Sequence, residues 1–160
     1  MKIILIFFLF LFTDTTYGDD GHKTIYLREG GINTPAKWNV NKENDCLFVG
    51  KPHINKDDRL KICRYISSEE SNYFTTNESG EWEAITDGIP VLADVNTTPK
   101  FTGMNAIVSC KYKDDAGYHT GLCFQAEIHL PRNIVFIFTG RGDLSLFEDY
   151  KKVYFSFKIK

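Results

Sequence analysis

Apolar and polar residues alternate along much of the chain, which is the pattern of strands with one buried face. In Leu122 to Leu130 every second residue is aliphatic or aromatic, and Val153 to Ile159 alternates in the same way. Clusters of Gly, Pro, Asn and Asp separate the apolar runs, at intervals typical of a β-sandwich or small barrel. Further predicted strands are Lys23 to Arg28, Lys37 to Val40, Leu60 to Ile66, Ile89 to Val95, Ala106 to Tyr112 and Ile134 to Thr139. The pattern therefore predicts an all-β fold, either an antiparallel sandwich or a small barrel.

Helical periodicity is weak by comparison. No window carries a sustained apolar stripe at positions i, i+3, i+4 and i+7, so a helical bundle is disfavoured. Short helical turns are expected only within Arg59 to Glu70 and Ser145 to Lys152.

An uninterrupted apolar segment opens the chain. Lys2 is followed by the apolar run Ile3 to Phe12, which is too short to cross the roughly 30 Å hydrocarbon core of a bilayer. Thr16 and Gly18 then supply small residues at the positions that signal peptidase requires. We expect residues 1–18 to be a signal peptide and residues 19–160 to form one secreted, extracellular domain. The alternative is a membrane anchor, which needs about 20 apolar residues.

The cysteines agree with an oxidising compartment. They are Cys46, Cys63, Cys110 and Cys123, all downstream of the predicted signal peptide. An even number of cysteines in a secreted chain implies disulfides, here two. Zinc binding is the competing interpretation, but the chain lacks any Cys-x-x-Cys pair of the usual ligand spacing.

Hairpin geometry favours one of the three possible connectivities. A hairpin that turns at Ala116-Gly117 places Cys110 opposite Cys123, within bonding reach. A second hairpin pairs Cys46 with Cys63 and brings together Leu47 with Ile62 and Val49 with Leu60. We therefore favour the local bridges Cys46 to Cys63 and Cys110 to Cys123, while the other two connectivities remain open.

One feature conflicts with the first of these hairpins. Its register places Ala106 opposite Glu127 and Val108 opposite Gln125, so neither face of the hairpin is uniformly apolar. A bulge or a crossed connectivity would remove the conflict.

Composition and charge narrow the choice of partners. Hydrophobic residues make up 42% of the chain and charged residues 25%, which is enough apolar material for a packed core. The formal net charge is -2, so nucleic acid is a poor partner, and no later segment is apolar enough for membrane insertion. Asn77-Glu78-Ser79 and Asn96-Thr97-Thr98 are sequons, which predict N-glycosylation at Asn77 and Asn96.

The sequence does not carry the common enzyme signatures. Gly-x-Ser-x-Gly, His-Glu-x-x-His and a phosphate-binding glycine loop are all missing, so we expect no enzyme, no cofactor and no metal. Glu127 and His129 have the i, i+2 spacing of a base and its orienting carboxylate. Because they alternate with apolar residues, we interpret them as solvent-facing.

The tripeptide Arg141-Gly142-Asp143 matches the adhesion motif that integrins recognise. It follows the apolar run Ile134 to Thr139 and a further glycine, Gly140, which predicts a loop or hairpin tip. Gly140 and Gly142 permit positive φ on either side of Arg141. A projecting tip would direct the guanidinium and the carboxylate apart, toward an acidic pocket and a receptor-held metal ion.

The segment Gly140 to Phe147 resembles RGD-bearing secreted integrin antagonists, such as snake-venom disintegrins and integrin-blocking salivary proteins of blood-feeding arthropods. The resemblance implies that Arg141 engages the integrin α subunit and Asp143 the β-subunit metal site, with Leu144 and Phe147 adding apolar contacts. Disintegrins are far richer in cysteine, so the scaffold differs. The resemblance implies a secreted effector that docks on a cell-surface receptor and modulates cell adhesion or platelet aggregation. The alternative is an ordinary glycine-rich turn.

The aromatic residues suggest a second possible function. Trp38, Trp82, Tyr26, Tyr65, Tyr73 and Phe74 are candidates for lining a pocket for a small apolar or amine ligand in a barrel mouth. Lipocalins of blood feeders are secreted barrels of similar size with two disulfides, although their Gly-x-Trp motif near the mature N-terminus is missing here. A lipocalin-like carrier requires an aromatic-lined cavity of roughly 300 Å³ or more.

Overall fold

The computed structural model describes residues 21–66, 73–86, 88–114 and 116–160. The predicted signal peptide, residues 1–18, lies outside them. Strands account for 59% of the described residues, which confirms the all-β class. In chain order the elements are β1 (His22–Leu27), β2 (Gly30–Pro35), β3 (Asn39–Glu43), β4 (Cys46–Gly50), a 3₁₀ turn (Lys56–Asp58), β5 (Leu60–Ile66), β6 (Phe74–Thr76), β7 (Trp82–Ala84), β8 (Val91–Leu92), β9 (Asp94–Thr97), β10 (Thr102–Asp114), β11 (Gly117–Leu130), β12 (Ile134–Arg141), α1 (Leu144–Phe155) and β13 (Lys158–Ile159).

A seven-stranded antiparallel sheet forms the centre of the molecule, in the order β3-β4-β5-β12-β11-β10-β9. Helix α1 and the small sheet β1-β2-β13 cover one face of it. A second small sheet, β6-β7-β8, covers part of the opposite face. In the described residues the sheets stay open, so the barrel alternative is wrong. The described helix is too short to cross a bilayer.

The main core lies between the central sheet and α1. Alternate residues of β11 and β12 point into it, including Phe124, Ile128, Phe136 and Phe138, which are almost completely buried. This burial pattern confirms the strand that alternation predicted in β11 and the strand that an apolar run predicted in β12.

A second, smaller core explains the mixed character of the β10–β11 hairpin. Met104, Ala106 and Val108 of β10 pack on the other face of the sheet against Phe74 and Ala84 of the second small sheet. Each face of the hairpin packs against a core along only part of its length. Neither face therefore needs to be uniformly apolar.

Both predicted disulfides are confirmed. Cys46 bonds to Cys63 across β4 and β5, and these two residues are direct cross-strand partners. Cys110 bonds to Cys123 across β10 and β11, but in this hairpin the predicted register is wrong. Cys123 pairs with Val108, two residues away from the predicted partner, so the bridge runs diagonally with its Cα atoms 5.8 Å apart.

The C-terminal segment departs most from the sequence pattern. Val153 to Ile159 was expected to be a strand, but α1 continues to Phe155 and only Lys158–Ile159 is extended. The buried residues of α1 are Leu146, Phe147, Tyr150, Val153 and Tyr154, a stripe with helical spacing that overlaps the alternation. The helical turn predicted in Ser145 to Lys152 is therefore confirmed, within a longer helix.

Smaller differences concern element boundaries. The described part of Arg59 to Glu70 includes strand β5, so the helical turn expected there is wrong up to Ile66. Ile89 to Val95 contains two short strands in place of one, and Lys37 to Val40 overlaps only the start of β3.

Candidate functional site

Arg141 does not project from a loop tip, so that prediction is wrong. It is the last residue of β12 and pairs with Cys123. Its Nε donates a hydrogen bond to the backbone carbonyl of Asp57 at 3.1 Å, and its Nη2 lies 3.7 Å from that residue's carboxylate. The guanidinium carbon lies 4.3 Å from the centre of the Tyr112 ring. Only 18% of the side chain is exposed, because it lies against the sheet surface.

Asp143 begins helix α1 as its N-cap. Its Oδ1 accepts hydrogen bonds from the Leu146 amide at 2.9 Å and from the Ser145 hydroxyl at 2.7 Å. These hydrogen bonds, that of Ser145 foremost, lower the pKa of the Asp143 carboxyl. The residue is exposed, so its second carboxylate oxygen faces solvent while the first holds the helix.

The glycines around Arg141 act differently from expectation. Gly142 has a positive φ of 138°, as its place between strand and helix requires. Gly140 does not share this conformation. Instead, a Cβ atom at Gly140 would lie 2.5 Å from Cε2 of Tyr150, so glycine is needed for close approach of helix and strand.

The two apolar residues after the tripeptide have opposite environments. Leu144 is 61% exposed, whereas Phe147 is completely buried in the main core. The expected receptor contact of Phe147 is therefore wrong, because its position in α1 directs it onto the sheet. Leu144, in the first helical turn, remains accessible.

The Arg141 side chain forms part of an open cleft of about 430 Å³ on the sheet face opposite the main core. We call it the Arg141 cleft. It is lined by Phe48, Lys56, Asp57, Arg59, Lys61, Tyr73, Cys110, Lys111, Tyr112, Cys123, Gln125, Thr139, Gly140 and Arg141.

Strand register builds the floor of this cleft. Phe48 of β4 pairs with Lys61 of β5, Lys61 with Thr139 of β12, and Thr139 with Gln125 of β11. Paired residues on neighbouring strands point to the same side of a sheet. The four side chains therefore form a row across four strands, with the core on the other side of the sheet.

Charge is unevenly distributed around the cleft. Among the described residues, its lining contains one carboxylate, Asp57, and five cationic side chains, which are Lys56, Arg59, Lys61, Lys111 and Arg141. Two carboxylates beside the lining also pair with these cations: Glu43 lies 3.6 Å from Lys56, and Asp58 lies 3.9 Å from Arg141. Two of the cations lie over aromatic rings. Lys61 Nζ is 5.9 Å from the centre of the Phe48 ring, and Arg141 is stacked on Tyr112. The arrangement favours negative charge in the cleft.

Two buried polar atoms of the lining have no hydrogen-bond partner among the described residues. They are Nε of Arg59, which is a donor, and Oε1 of Gln125, which is an acceptor. Buried polar atoms are nearly always hydrogen-bonded in folded proteins. Both side chains also line the cleft, so a change of side-chain rotamer would bring these atoms into contact with a bound molecule.

A buried carboxylate positions one wall of the cleft. The Tyr73 amide donates to Oε1 of Glu127 at 2.7 Å, and Nε2 of His129 lies 2.7 Å from Oε2. Burial, followed by nearby Tyr65 and Glu127, raises the pKa of the Tyr73 hydroxyl. Glu127 is completely buried and His129 is 28% exposed. Glu127 and His129 share a strand face, as their spacing predicts, but the expected exposure of Glu127 is wrong because β6-β7-β8 covers this face.

The six aromatic candidates do not line a common barrel-mouth pocket in the part of the chain that the structure describes. Trp38 packs in the main core and Phe74 in the smaller one, whereas Tyr26 and Tyr65 are about half exposed. Trp82 packs beside the smaller core. Of the six aromatic candidates, only Tyr73 lines the Arg141 cleft.

The two sequons occupy accessible parts of the fold. Asn77 lies in the turn between β6 and β7, where its Oδ1 accepts hydrogen bonds from the Ser79 and Glu81 amides. Asn96 lies in β9, the last strand of the central sheet. Both side chains are partly exposed, and their glycosylation stays a prediction.

The residues of the cleft floor were not identified from the sequence as functional. Lys61, Thr139 and Gln125 each alternate with buried residues in a strand, a pattern that predicts the outward face. What joins them is the pairing of distant strands. In the described residues, no group of three His, Cys, Asp or Glu side chains is placed to hold a metal ion.

Comparison with models of known protein families and with curated protein sequences found no match. The function is therefore argued from the geometry and charge of the site.

Proposed function

We propose that the protein is a secreted, extracellular binding protein that holds a negatively charged organic ligand in the Arg141 cleft. The observation that carries the proposal is the excess of positive charge, since the five cations of the lining outnumber the three carboxylates that pair with them, which are Asp57, Asp58 and Glu43. Such a cleft has a positive electrostatic potential, which attracts anions. A volume of about 430 Å³ is within the range of small-molecule sites.

We propose that the cleft binds its ligand and does not catalyse a reaction of it. The described residues of the lining offer hydrogen-bond donors and aromatic faces, but they include no histidine and no serine. These are the side chains that most often act as general bases and nucleophiles. The binding energy would come from charge-assisted hydrogen bonds and ring contacts.

The extracellular location rests on two features. Both disulfides are local staples of the kind found in secreted domains. The apolar segment Ile3 to Phe12 with its small-residue cleavage signal is the second feature.

Isothermal titration calorimetry with pyrophosphate and citrate tests the proposal. We expect both anions to bind and their affinity to fall with added salt. Lys61→Gln should weaken binding about tenfold, as expected for the loss of a charge-assisted contact. Lys42→Gln is the matched control, because Lys42 is an exposed lysine on neighbouring β3 outside the cleft lining. Absence of anion binding, or equal loss in both variants, would overturn the proposal.

Integrin binding is a second candidate function, favoured by the exposure of Asp143 and Leu144. One carboxylate oxygen of Asp143 is engaged as the helix cap, which leaves the other for a receptor-held divalent cation. Arg141 would first have to leave Asp57 and Tyr112. The geometry therefore supports this function less well than anion binding.

Asp143→Ser separates adhesion from stability, because serine retains the helix cap but lacks the carboxylate. If the motif is used, the wild type blocks cell adhesion to fibrinogen or vitronectin, chelator abolishes the block, and Asp143→Ser loses it while keeping the wild-type melting temperature. A wild type without effect, or an equally active Asp143→Ser, would reduce the motif to a structural turn.

A further inference from the structure

We infer that the ligand of the Arg141 cleft is a nucleoside phosphate, in which a sugar joins a planar base to a phosphate chain. This inference rests on the proposed function and specifies its ligand class. Three parts of the cleft each match one part of such a molecule.

The phosphate end of the cleft is formed by residues close together in the chain. Lys56 belongs to the 3₁₀ turn and lies 3.6 Å from the Glu43 carboxylate, Arg59 follows the turn, and Lys61 is in β5. The two acidic residues of the turn, Asp57 and Asp58, face Arg141. The Nε of Arg59 is the buried donor without a partner among the described residues. Several cations at one end fit a group with more than one negative charge better than they fit a single carboxylate.

The ring end is formed by planar side chains. Arg141 is stacked on Tyr112 at 4.3 Å, and Tyr73 forms another part of the lining. Guanidinium planes and tyrosine rings are the surfaces on which nucleic-acid bases stack in proteins. A stacked Arg141 remains a cation, so the same group would attract the phosphate chain.

The middle of the cleft contains a hydrogen-bond acceptor, which favours a ligand that carries a donor at this point. Gln125 is on β11, between the strands that carry Lys61 and Tyr112. Its Oε1 is a buried acceptor without a partner among the described residues, and a turn of the side-chain amide would bring this oxygen to the cleft surface. An amine on a ring or a sugar hydroxyl would supply the missing donor. An aryl sulfate has no such group.

The dimensions agree with a ligand of this length. From Lys61 on β5 to Tyr112 on β10 the sheet crosses three inter-strand spacings, through β12 and β11, which is about 14 Å at roughly 4.8 Å each. This distance accommodates a ring at one end and a phosphate chain at the other.

Calorimetry on the full secreted protein tests the inference with four probes: ADP, adenosine, pyrophosphate and an aryl sulfate. ADP should bind at least about tenfold more tightly than either adenosine or pyrophosphate, because only ADP satisfies both ends of the cleft. The aryl sulfate, with a ring and a charge but no donor for Gln125, should bind more weakly than ADP.

Two substitutions distinguish the contacts to the nucleoside from the contacts to the phosphates. Gln125→Met removes the acceptor at similar size and should weaken ADP and adenosine about tenfold while leaving pyrophosphate within about twofold. Lys61→Gln should have the reverse pattern, weakening ADP and pyrophosphate but not adenosine. Lys42→Gln should change none of them, and circular dichroism checks that each variant is folded.

The failures of the two proposals are distinguishable. Pyrophosphate binding as tightly as ADP, or the aryl sulfate binding more tightly, would overturn the nucleoside phosphate while anion binding stands. If neither pyrophosphate nor ADP binds, the proposed function itself fails. Loss of all probes to the same extent in Gln125→Met would show that Gln125 only supports the fold, which also overturns its role as ligand acceptor.

Discussion

The buried carboxylate of Glu127 joins two layers of the molecule. It accepts from the Tyr73 amide, just before the small sheet β6-β7-β8, while it belongs to β11 of the central sheet. His129 contacts its second oxygen. A fully buried carboxylate is stable only when hydrogen bonds satisfy it, so this residue fixes where the small sheet sits.

We expect Glu127→Gln to destabilise the protein by about 1–3 kcal/mol, since an amide has one acceptor oxygen where the carboxylate uses one oxygen for the Tyr73 amide and the other for His129. Urea unfolding followed by tryptophan fluorescence measures the change. Glu148→Gln is the control, because that side chain is 66% exposed and exposed substitutions stay within about 0.5 kcal/mol. Equal stabilities of the two variants would contradict the role given to Glu127.

Glu29 and Arg64 form a two-point ion pair with a predictable pH dependence. Nε and Nη2 of Arg64 donate to the two Glu29 oxygens at 2.5 and 2.8 Å. Hydrogen bonding from Arg64 lowers the pKa of Glu29. A carboxyl with a lowered pKa stabilises the fold fully above its ordinary pKa of about 4.3, and this contribution is lost as the pH falls through the folded-state value.

The stability difference between wild type and Glu29→Gln should therefore be constant from neutral pH to about pH 5 and shrink as the pH falls further. Denaturant titrations at several pH values measure this difference. A gap that persists unchanged to pH 3 would show that the pair is stabilised by packing and not by charge.

At the level of elements, helix α1 lies unusually close to β12. The contact is made at Gly140, where any Cβ atom would lie 2.5 Å from the Tyr150 ring. Tyr150 is itself completely buried and its hydroxyl donates to the Asp58 carbonyl. Helix, strand and 3₁₀ turn therefore meet at one point directly below Arg141.

Gly140→Ala should cost about 1–3 kcal/mol, because the methyl group overpacks this contact. A lower melting temperature in circular dichroism is the expected result. Gly88→Ala is the matched control, since nothing lies within 4 Å of a Cβ atom at that glycine. If Gly140→Ala melts like Gly88→Ala, the helix can move away from the strand at little cost.

Across the whole molecule, the two disulfides share a face of the central sheet but differ in their relation to the cleft. Cys110 and Cys123 line the Arg141 cleft, whereas Cys46 and Cys63 do not. The bridges close loops of similar size, with sequence separations of 13 and 17 residues. Their contributions to stability should therefore be alike.

Replacing either cysteine pair by alanine should lower the free energy of unfolding by about 3 kcal/mol. Under conditions where both variants are folded, only loss of Cys110–Cys123 should weaken anion binding, because the cleft wall loosens. Chemical denaturation and calorimetry with pyrophosphate measure the two effects. Equal affinities in both variants would contradict the position of the site.

Alternation predicted Leu122 to Leu130, which is most of β11, because a strand with one buried face records its period directly in the sequence. Apolar and β-branched runs predicted β5 and most of β12. Alternation failed at Val153 to Ile159, where apolar residues fit both a period of two and a helical stripe. The packing of Phe147 and Tyr150 on the sheet stabilises the helix, which continues through this segment to Phe155. A short window of sequence does not contain that contact.

The sequence by itself determined the strand-rich class and the presence of two disulfides. It favoured the observed pairing over the two other connectivities, since each bridge joins cysteines fewer than twenty residues apart and depends on a local hairpin. Tertiary structure alone decided the environment of Arg141, whose hydrogen-bond partner Asp57 is 84 residues away. It also decided that Lys61, Thr139 and Gln125 share one row, because register between distant strands depends on the packing of the whole sheet. The candidate site is made of such long-range contacts, and local sequence patterns do not encode them.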